Sequence, residues 1–146
     1  KNADIRQYEF VRLGTPAEAL THRDAWLQKG LELLGSLGLN CTAVVANDPF
    51  FGRANRLMKA TQKEQELKYE IVVPICSEEN PTAITSSNYH LDHFSLPFGI
   101  KTSDGNIAHT ACIGFGLERI VLALFKTHGF YSEQWPSIVR KVLALP

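Results

Sequence analysis

The sequence predicts an α+β domain in which helices flank a mainly antiparallel sheet. Three observations carry that expectation. Residues 67–75 alternate with strand periodicity, Asp104-Gly105 is a hairpin signal between two apolar runs, and segments starting at Thr15 and Gly116 carry helix-period apolar stripes. Consecutive strands joined by hairpins, with helices set at either end, define this class rather than an alternating parallel one.

Residues 8–13 read as extended. Thr15-Pro16-Ala17-Glu18 then places a hydroxyl at the N-cap, proline at the first helical position and glutamate at N3, a capping box. Leu20, Leu27, Leu31 and Leu34 fall on one face and Gly38 supplies a stop, so the helix spans about 15–37. A short β-branched run follows at 42–46. Leu67, Tyr69, Ile71, Val73 and Ile75 alternate with Lys68, Glu70 and Val72, giving a strand with one wholly apolar face. Residues 77–81 turn the chain into another strand at 82–90. The Asp104-Gly105 hairpin is expected between 98–102 and 107–113. Leu117, Ile120, Val121, Leu124 and Phe125 mark a helix from Gly116. A last helix is expected over 133–145, with Pro136 in its first turn.

The 146 residues are 45% hydrophobic and 21% charged, with fifteen basic side chains against fifteen acidic ones. Such a chain buries a real core as one domain and is not disordered. Zero net charge argues against binding by phosphate neutralisation along a nucleic acid. No apolar run approaches the roughly 18 residues of a membrane span, and no secretory signal opens the sequence. Cys41, Cys76 and Cys112 are an odd, widely spaced set rather than a disulfide framework, so a reducing, cytoplasmic setting is expected.

Several residues do not read as plain structure. Arg119 stands in the opening turn of the Gly116 helix, where the macrodipole disfavours a cation. It is either a solvated arginine or a grip on an anion bound at the helix start, with Gly114 and Gly116 allowing close backbone approach. Thr85, Ser86, Ser87, Asn88, Tyr89, His90 and Asp92 make a polar strand among apolar neighbours, either a solvated edge or the wall of a ligand cavity. His90-x-Asp92-His93 and His109 with Cys112 are weak metal patterns, since His93 points away from the other two in a strand. Glu9, isolated among apolar and aromatic residues, calls for a cation partner if buried: Arg6, Arg12 or a metal.

Residues 108–120, with G-x-G-x-E-R from Gly114 to Arg119, resemble motif 3 of class II aminoacyl-tRNA synthetases, and Arg6-Gln-Tyr-Glu-Phe10 is similar to the closing half of motif 2. Ser87-Asn88-Tyr89-His90 and the motif at 47–52 look most like one branch, the seryl-tRNA-synthetase-like amino acid:carrier-protein ligases. The resemblance runs from Arg6 to the end of the chain. It implies a class II catalytic domain, here its C-terminal part over 1–146 from the end of motif 2 to motif 3, with motif 1 absent.

The implied reaction has two steps. A small amino acid, glycine or alanine, and ATP with magnesium give an aminoacyl-adenylate; the aminoacyl group then passes to the phosphopantetheine thiol of a carrier protein. By resemblance Arg119 and Arg6 are catalytic and contact phosphates, Phe10 stacks on adenine, and Ala83, Ile84, Thr85 and Ser86 run along the nucleotide. Glu9, Lys68 and Asn88 face the amino acid. A zinc that binds its α-amino group takes Glu9 and Cys112 as second and third ligands, after a cysteine upstream of Glu9. The complete protein is expected to be a cytoplasmic homodimer that binds neither tRNA nor membrane, with the α-helix from Thr15 offering His22, Arg23 and Lys29 to the carrier.

Some positions depart from the family pattern. Gly14 stands where an acidic residue is expected after Phe10, the magnesium position falls near Thr82 with Glu79 nearby, and Cys41 and Cys76 match no ligand. Alternation sets Glu9 and Phe10 on opposite faces, so both serve one site only through a bulge. Two alternatives to the ligase remain on sequence alone: a non-catalytic paralogue or truncated binding subunit, and a seryl-tRNA synthetase fragment.

Overall fold

The computed structural model describes residues 5–46 and 66–146. Its elements are β1 (Gln7–Gly14), α1 (Pro16–Ser36), β2 (Thr42–Val45), β3 (Lys68–Val73), β4 (Thr82–Leu91), α2 (Ser95–Phe98), β5 (His109–Gly116), α3 (Leu117–His128), a 3-10 turn at Ser132–Gln134, and α4 (Ser137–Val142). The motif at 47–52 lies outside the described residues. The five strands form one sheet in the order β1-β5-β4-β3-β2, every neighbouring pair antiparallel.

The capping box starts α1. The Glu18 amide donates to Thr15 Oγ1 at 3.2 Å, and the Thr15 amide donates back to Glu18 Oε2 at 2.8 Å. Gly30 brings the middle of this helix onto the sheet, because a Cβ there would lie 2.9 Å from Ile71 Cδ1 and 3.3 Å from Ile113 Cδ1. Leu34, Ile71, Ile84, Leu124, Trp135 and Val139 form the main core, where α1, α3 and α4 meet the strands. Burial of such side chains contributes about 1.5–3 kcal/mol each.

Strand alternation gives the sheet two unlike faces. Phe10, Ile113, Phe115 and Ser87 face α1: Phe10 stacks on Trp26 with ring centroids 4.3 Å apart, and Ser87 Oγ donates to the Arg23 carbonyl at 2.9 Å. Glu9, Cys112, Ser86 and Asn88 face away from α1 into an open cleft.

Two elements differ from the sequence expectation. Residues 98–102 do not form a hairpin strand: Phe98 closes the short α2, Gly99 follows with φ +63°, and a single bridge, Lys101 to Ile107, precedes the real strand at His109. The Asp104-Gly105 turn does form, closed by the Thr102 amide donating to the Asn106 carbonyl at 2.9 Å. The last helix is also shorter than 133–145. Pro136 forces Trp135 extended (ψ 154°), so a 3-10 turn stops there and α4 starts afresh at Ser137.

Candidate active site

The turn from β5 into α3 fixes Arg119, whose Nη1 donates to the Ala83 carbonyl at the start of β4, 2.9 Å away. A Cβ on Gly116 would stand 3.3 Å from the Ile84 carbonyl and 3.6 Å from Arg119 Cδ. The glycine therefore lets β5 run close to the Ile84 carbonyl of β4, with Arg119 packed against it at ordinary contact distance. At Gly114 the near group is Glu9, whose Oε1 would be 3.3 Å from an added Cβ.

Beside Arg119 lies a cavity of about 190 Å³, walled by Gln7, Lys68 and the β4 run Ala83, Ile84, Thr85 and Ser86. Through Gln7, Lys68 and Ser86 it adjoins a larger cleft of about 530 Å³ that holds Glu9, Asn88, His90 and Cys112. β4 is a central strand, so its polar side chains are not a solvated edge. Ser86, Asn88 and His90 line the cleft, while Ser87 and Tyr89 lie under α1, Tyr89 OH pairing with His109 Nδ1. Lys68 Nζ is 2.9 Å from Glu70 Oε1 across the cleft wall.

Glu9 and Cys112 come from adjacent strands, in a register that pairs Glu9 with Gly114 and Val11 with Cys112. Asn88 Nδ2 sits 3.4 Å from Cys112 Sγ, and Asn88 Oδ1 is buried without a hydrogen-bond partner. Burial pushes the Cys112 thiol up from its ordinary range; the Asn88 bond lowers it and the nearby Glu9 charge raises it further. His90 is pushed down to about 4, chiefly by burial and secondarily by His93, so its ring is neutral near pH 7. Among the described residues no group of three or more His, Cys, Asp or Glu side chains is placed to hold a metal ion. A carboxylate and a thiol converging on one cleft suit zinc by donor chemistry, as two members of a larger set.

Two sequence-predicted residues are not brought into this cleft. Phe10 points to the α1 layer and stacks on Trp26, so the alternation conflict with Glu9 is resolved in favour of Glu9. No bulge interrupts the β1–β5 register to turn it round. Arg6 is held by Glu118 instead: its Nε lies 2.7 Å from Oε1 and its amide donates to Oε2 at 2.8 Å. That pairing raises the Arg6 pKa and lowers that of Glu118. Arg6 is not among the residues walling either cavity. Glu79 is exposed in the loop before β4.

Glu118 was legible in the sequence only as part of the G-x-G-x-E-R run; its bond to Arg6 depends on β1 starting beside the start of α3. His90 was legible as a polar strand residue and as part of a weak metal pattern, not as a partner of Cys112.

No family model matches the chain. Over 141 residues it is 41% identical to amino acid–(acyl-carrier-protein) ligase 1 of Bradyrhizobium diazoefficiens, covering 97% of this chain and 43% of that protein. Ligase 2 of the same organism is 44% identical over 97% of this chain and 42% of its own length. The chain thus spans about two-fifths of the length of these curated relatives. A seryl-tRNA synthetase of Methanopyrus kandleri, solved in complex with A. aeolicus tRNASec, matches with a TM-score of 0.76 and 28% identity, over 95% of this chain and 28% of that one.

Fold and cleft together define a class II synthetase-type catalytic sheet of the seryl-tRNA synthetase kind. More narrowly, the chain is a homologue of the amino acid–(acyl-carrier-protein) ligases, with 41–44% identity against 30–33% for type-2 serine–tRNA ligases.

Proposed function

We propose that the complete protein activates a small amino acid, glycine or alanine, with ATP and transfers it to the phosphopantetheine thiol of a carrier protein. The observation that carries this reading is the adjacency of the Arg119 cavity and the Glu9–Cys112 cleft, which share Gln7, Lys68 and Ser86 as walls, in a homologue of carrier-protein ligases. An amino acid and a nucleotide bound end to end need two such neighbouring sites.

In the first step a carboxylate oxygen of the amino acid attacks the α-phosphorus of ATP, and pyrophosphate leaves. Arg119, whose planar fork suits phosphate oxygens, meets the charge of the pyrophosphate, and magnesium bound with the nucleotide would neutralise the remainder. The β4 run from Ala83 to Ser86 lies along the nucleotide. Lys68, at the junction of the two cavities, faces the carboxylate, and Asn88 lies further in. In the second step the thiol sulfur attacks the aminoacyl carbonyl and AMP leaves. Catalysis is mostly positioning and charge neutralisation, because the substrate carboxylate is itself the nucleophile.

Glu9 and Cys112 would hold a zinc with at least one further ligand from the rest of the protein; the metal would bind the free α-amino group and reject substrates without one. The complete protein works as a cytoplasmic homodimer, and the 146 residues are the C-terminal part of its catalytic domain. Among the described residues no helix is long and apolar enough to cross a membrane. Of the three α1 residues suggested for the carrier, Arg23 is buried, with Nη2 2.7 Å from Asp24 Oδ1 and its guanidinium over the Tyr69 ring, while Lys29 is exposed. The α1 helix packs on the side of the sheet away from the cleft, so a carrier docked there would reach the cleft from around the sheet.

Incubating the full-length protein with labelled glycine or alanine, ATP, total tRNA and phosphopantetheinylated carrier protein tests the reading. Label is expected on the carrier as a hydroxylamine-labile thioester. Label on tRNA alone would assign a true synthetase, and no amino-acid-dependent pyrophosphate exchange would assign a non-catalytic subunit.

A further inference from the structure

The β4–β5 register carries an irregularity beside the cleft. Tyr89 pairs with Ala111 and Leu91 with Thr110, which leaves His90 as an extra residue between them. Leu91 follows with φ +54°, a conformation that costs a branched side chain of its kind energy and persists where the surroundings enforce it. Bulges re-aim side chains, and this one sets the His90 ring against Thr110 and Cys112. His90 Nδ1 is 2.9 Å from Thr110 Oγ1, and Nε2 is 3.6 Å from Cys112 Sγ. The ring is buried, with its edge against Phe94 at 5.0 Å between centroids.

We propose that His90, set by the β4 bulge and oriented by Thr110, is a positioning residue that hydrogen-bonds Cys112 and fixes its sulfur for metal binding. The inference rests on the reading of Glu9 and Cys112 as zinc ligands and deepens it. When the Thr110 hydroxyl donates to Nδ1, Nε2 carries the ring proton and donates to the sulfur. That is the bond a thiolate ligand needs in a buried site, where an unpaired anion is costly. Asn88 Nδ2 approaches the same sulfur at 3.4 Å, so the thiolate would be held by two donors. The strained Leu91 backbone is then the local cost of aiming the ring.

Cobalt(II) titration of the full-length, zinc-depleted protein reads this directly, through the thiolate-to-cobalt charge-transfer band and the cobalt affinity. Wild type should show the band. His90→Ala should weaken cobalt binding by about 10–100-fold and shift the band. His90→Gln, which keeps an N–H donor at similar reach, should stay within a few fold of wild type, and Thr110→Val should fall between them. An unchanged band and affinity in His90→Ala, with wild type binding normally, would overturn the positioning role alone. Equal loss in His90→Ala and His90→Gln, with intact circular dichroism, would make His90 a ligand and overturn it too. No band in wild type would overturn the metal reading, and this inference with it.

Discussion

Arg119 shows how much one side chain at a helix start can reveal. A cation is disfavoured there by the dipole, yet the Ala83 carbonyl holds it across the cavity wall through Nη1. The rest of the fork is free for a phosphate in the cavity beside it. In the full-length protein, Arg119→Ala should lower amino-acid-dependent pyrophosphate exchange by on the order of 10²-fold or more and leave the circular dichroism unchanged. Exchange at the wild-type rate would make Arg119 a surface residue. The arginine was legible in the sequence because its misfit with the helix dipole is a local fact. Glu9 was legible in the same way, as a lone carboxylate among apolar residues. Phe10 was misplaced because the motif resemblance says which residue is present and not which face it takes; strand alternation already set it opposite Glu9. His90 needed the register of β4 against β5, a long-range property that no local pattern contains.

The elements themselves were largely legible, because each has a local cause. All five strands and both long helices follow from alternation, apolar stripes and caps, whereas α2 escaped because Pro97 and Gly99 break a run that otherwise reads as extended. The start of α1 is the clearest case. Its reciprocal bonds tie Thr15 to Glu18, and Arg12 Nη2 adds a contact to Glu18 Oε1 at 2.6 Å. Thr15→Ala should therefore cost about 1 kcal/mol of stability by urea denaturation near neutral pH. The Glu18 pKa is lowered first by the Thr15 backbone bond, then by the Thr15 hydroxyl and Arg12. A carboxylate depressed in the folded state binds fewer protons folded than unfolded, so its contribution is present above the unfolded pKa and fades as pH falls through the folded one. The gap between wild type and Thr15→Ala should accordingly narrow below about pH 4. A gap that is constant between pH 7 and pH 3 would mean that the box contributes nothing through its carboxylate.

At the scale of the whole molecule, the cleft is built across four neighbouring strands, β1, β5, β4 and β3, with no single segment holding the chemistry. Glu9 and Cys112 lie more than a hundred positions apart in sequence and meet only because β1 and β5 pair, which is why no spacing motif announces them. Zinc in a catalytic site takes three protein ligands and keeps one position open. In the proposed site Glu9 and Cys112 would supply two of them. Among the described residues no group of three or more such side chains is placed to hold a metal, and the relatives are more than twice as long as this chain, so the full-length protein is the species in which the proposal is tested. A metal there would also reverse the local electrostatics. The Cys112 thiol, now raised by burial, would be held as thiolate, and the Glu9 charge that raises it would become a fellow ligand. Elemental analysis of dialysed full-length protein should find one zinc per chain in wild type and none in Cys112→Ala, with Glu9→Gln retaining less than wild type. Equal zinc in wild type and Cys112→Ala, or none in either, would remove the metal from the site and leave Glu9 facing the amino acid's ammonium directly.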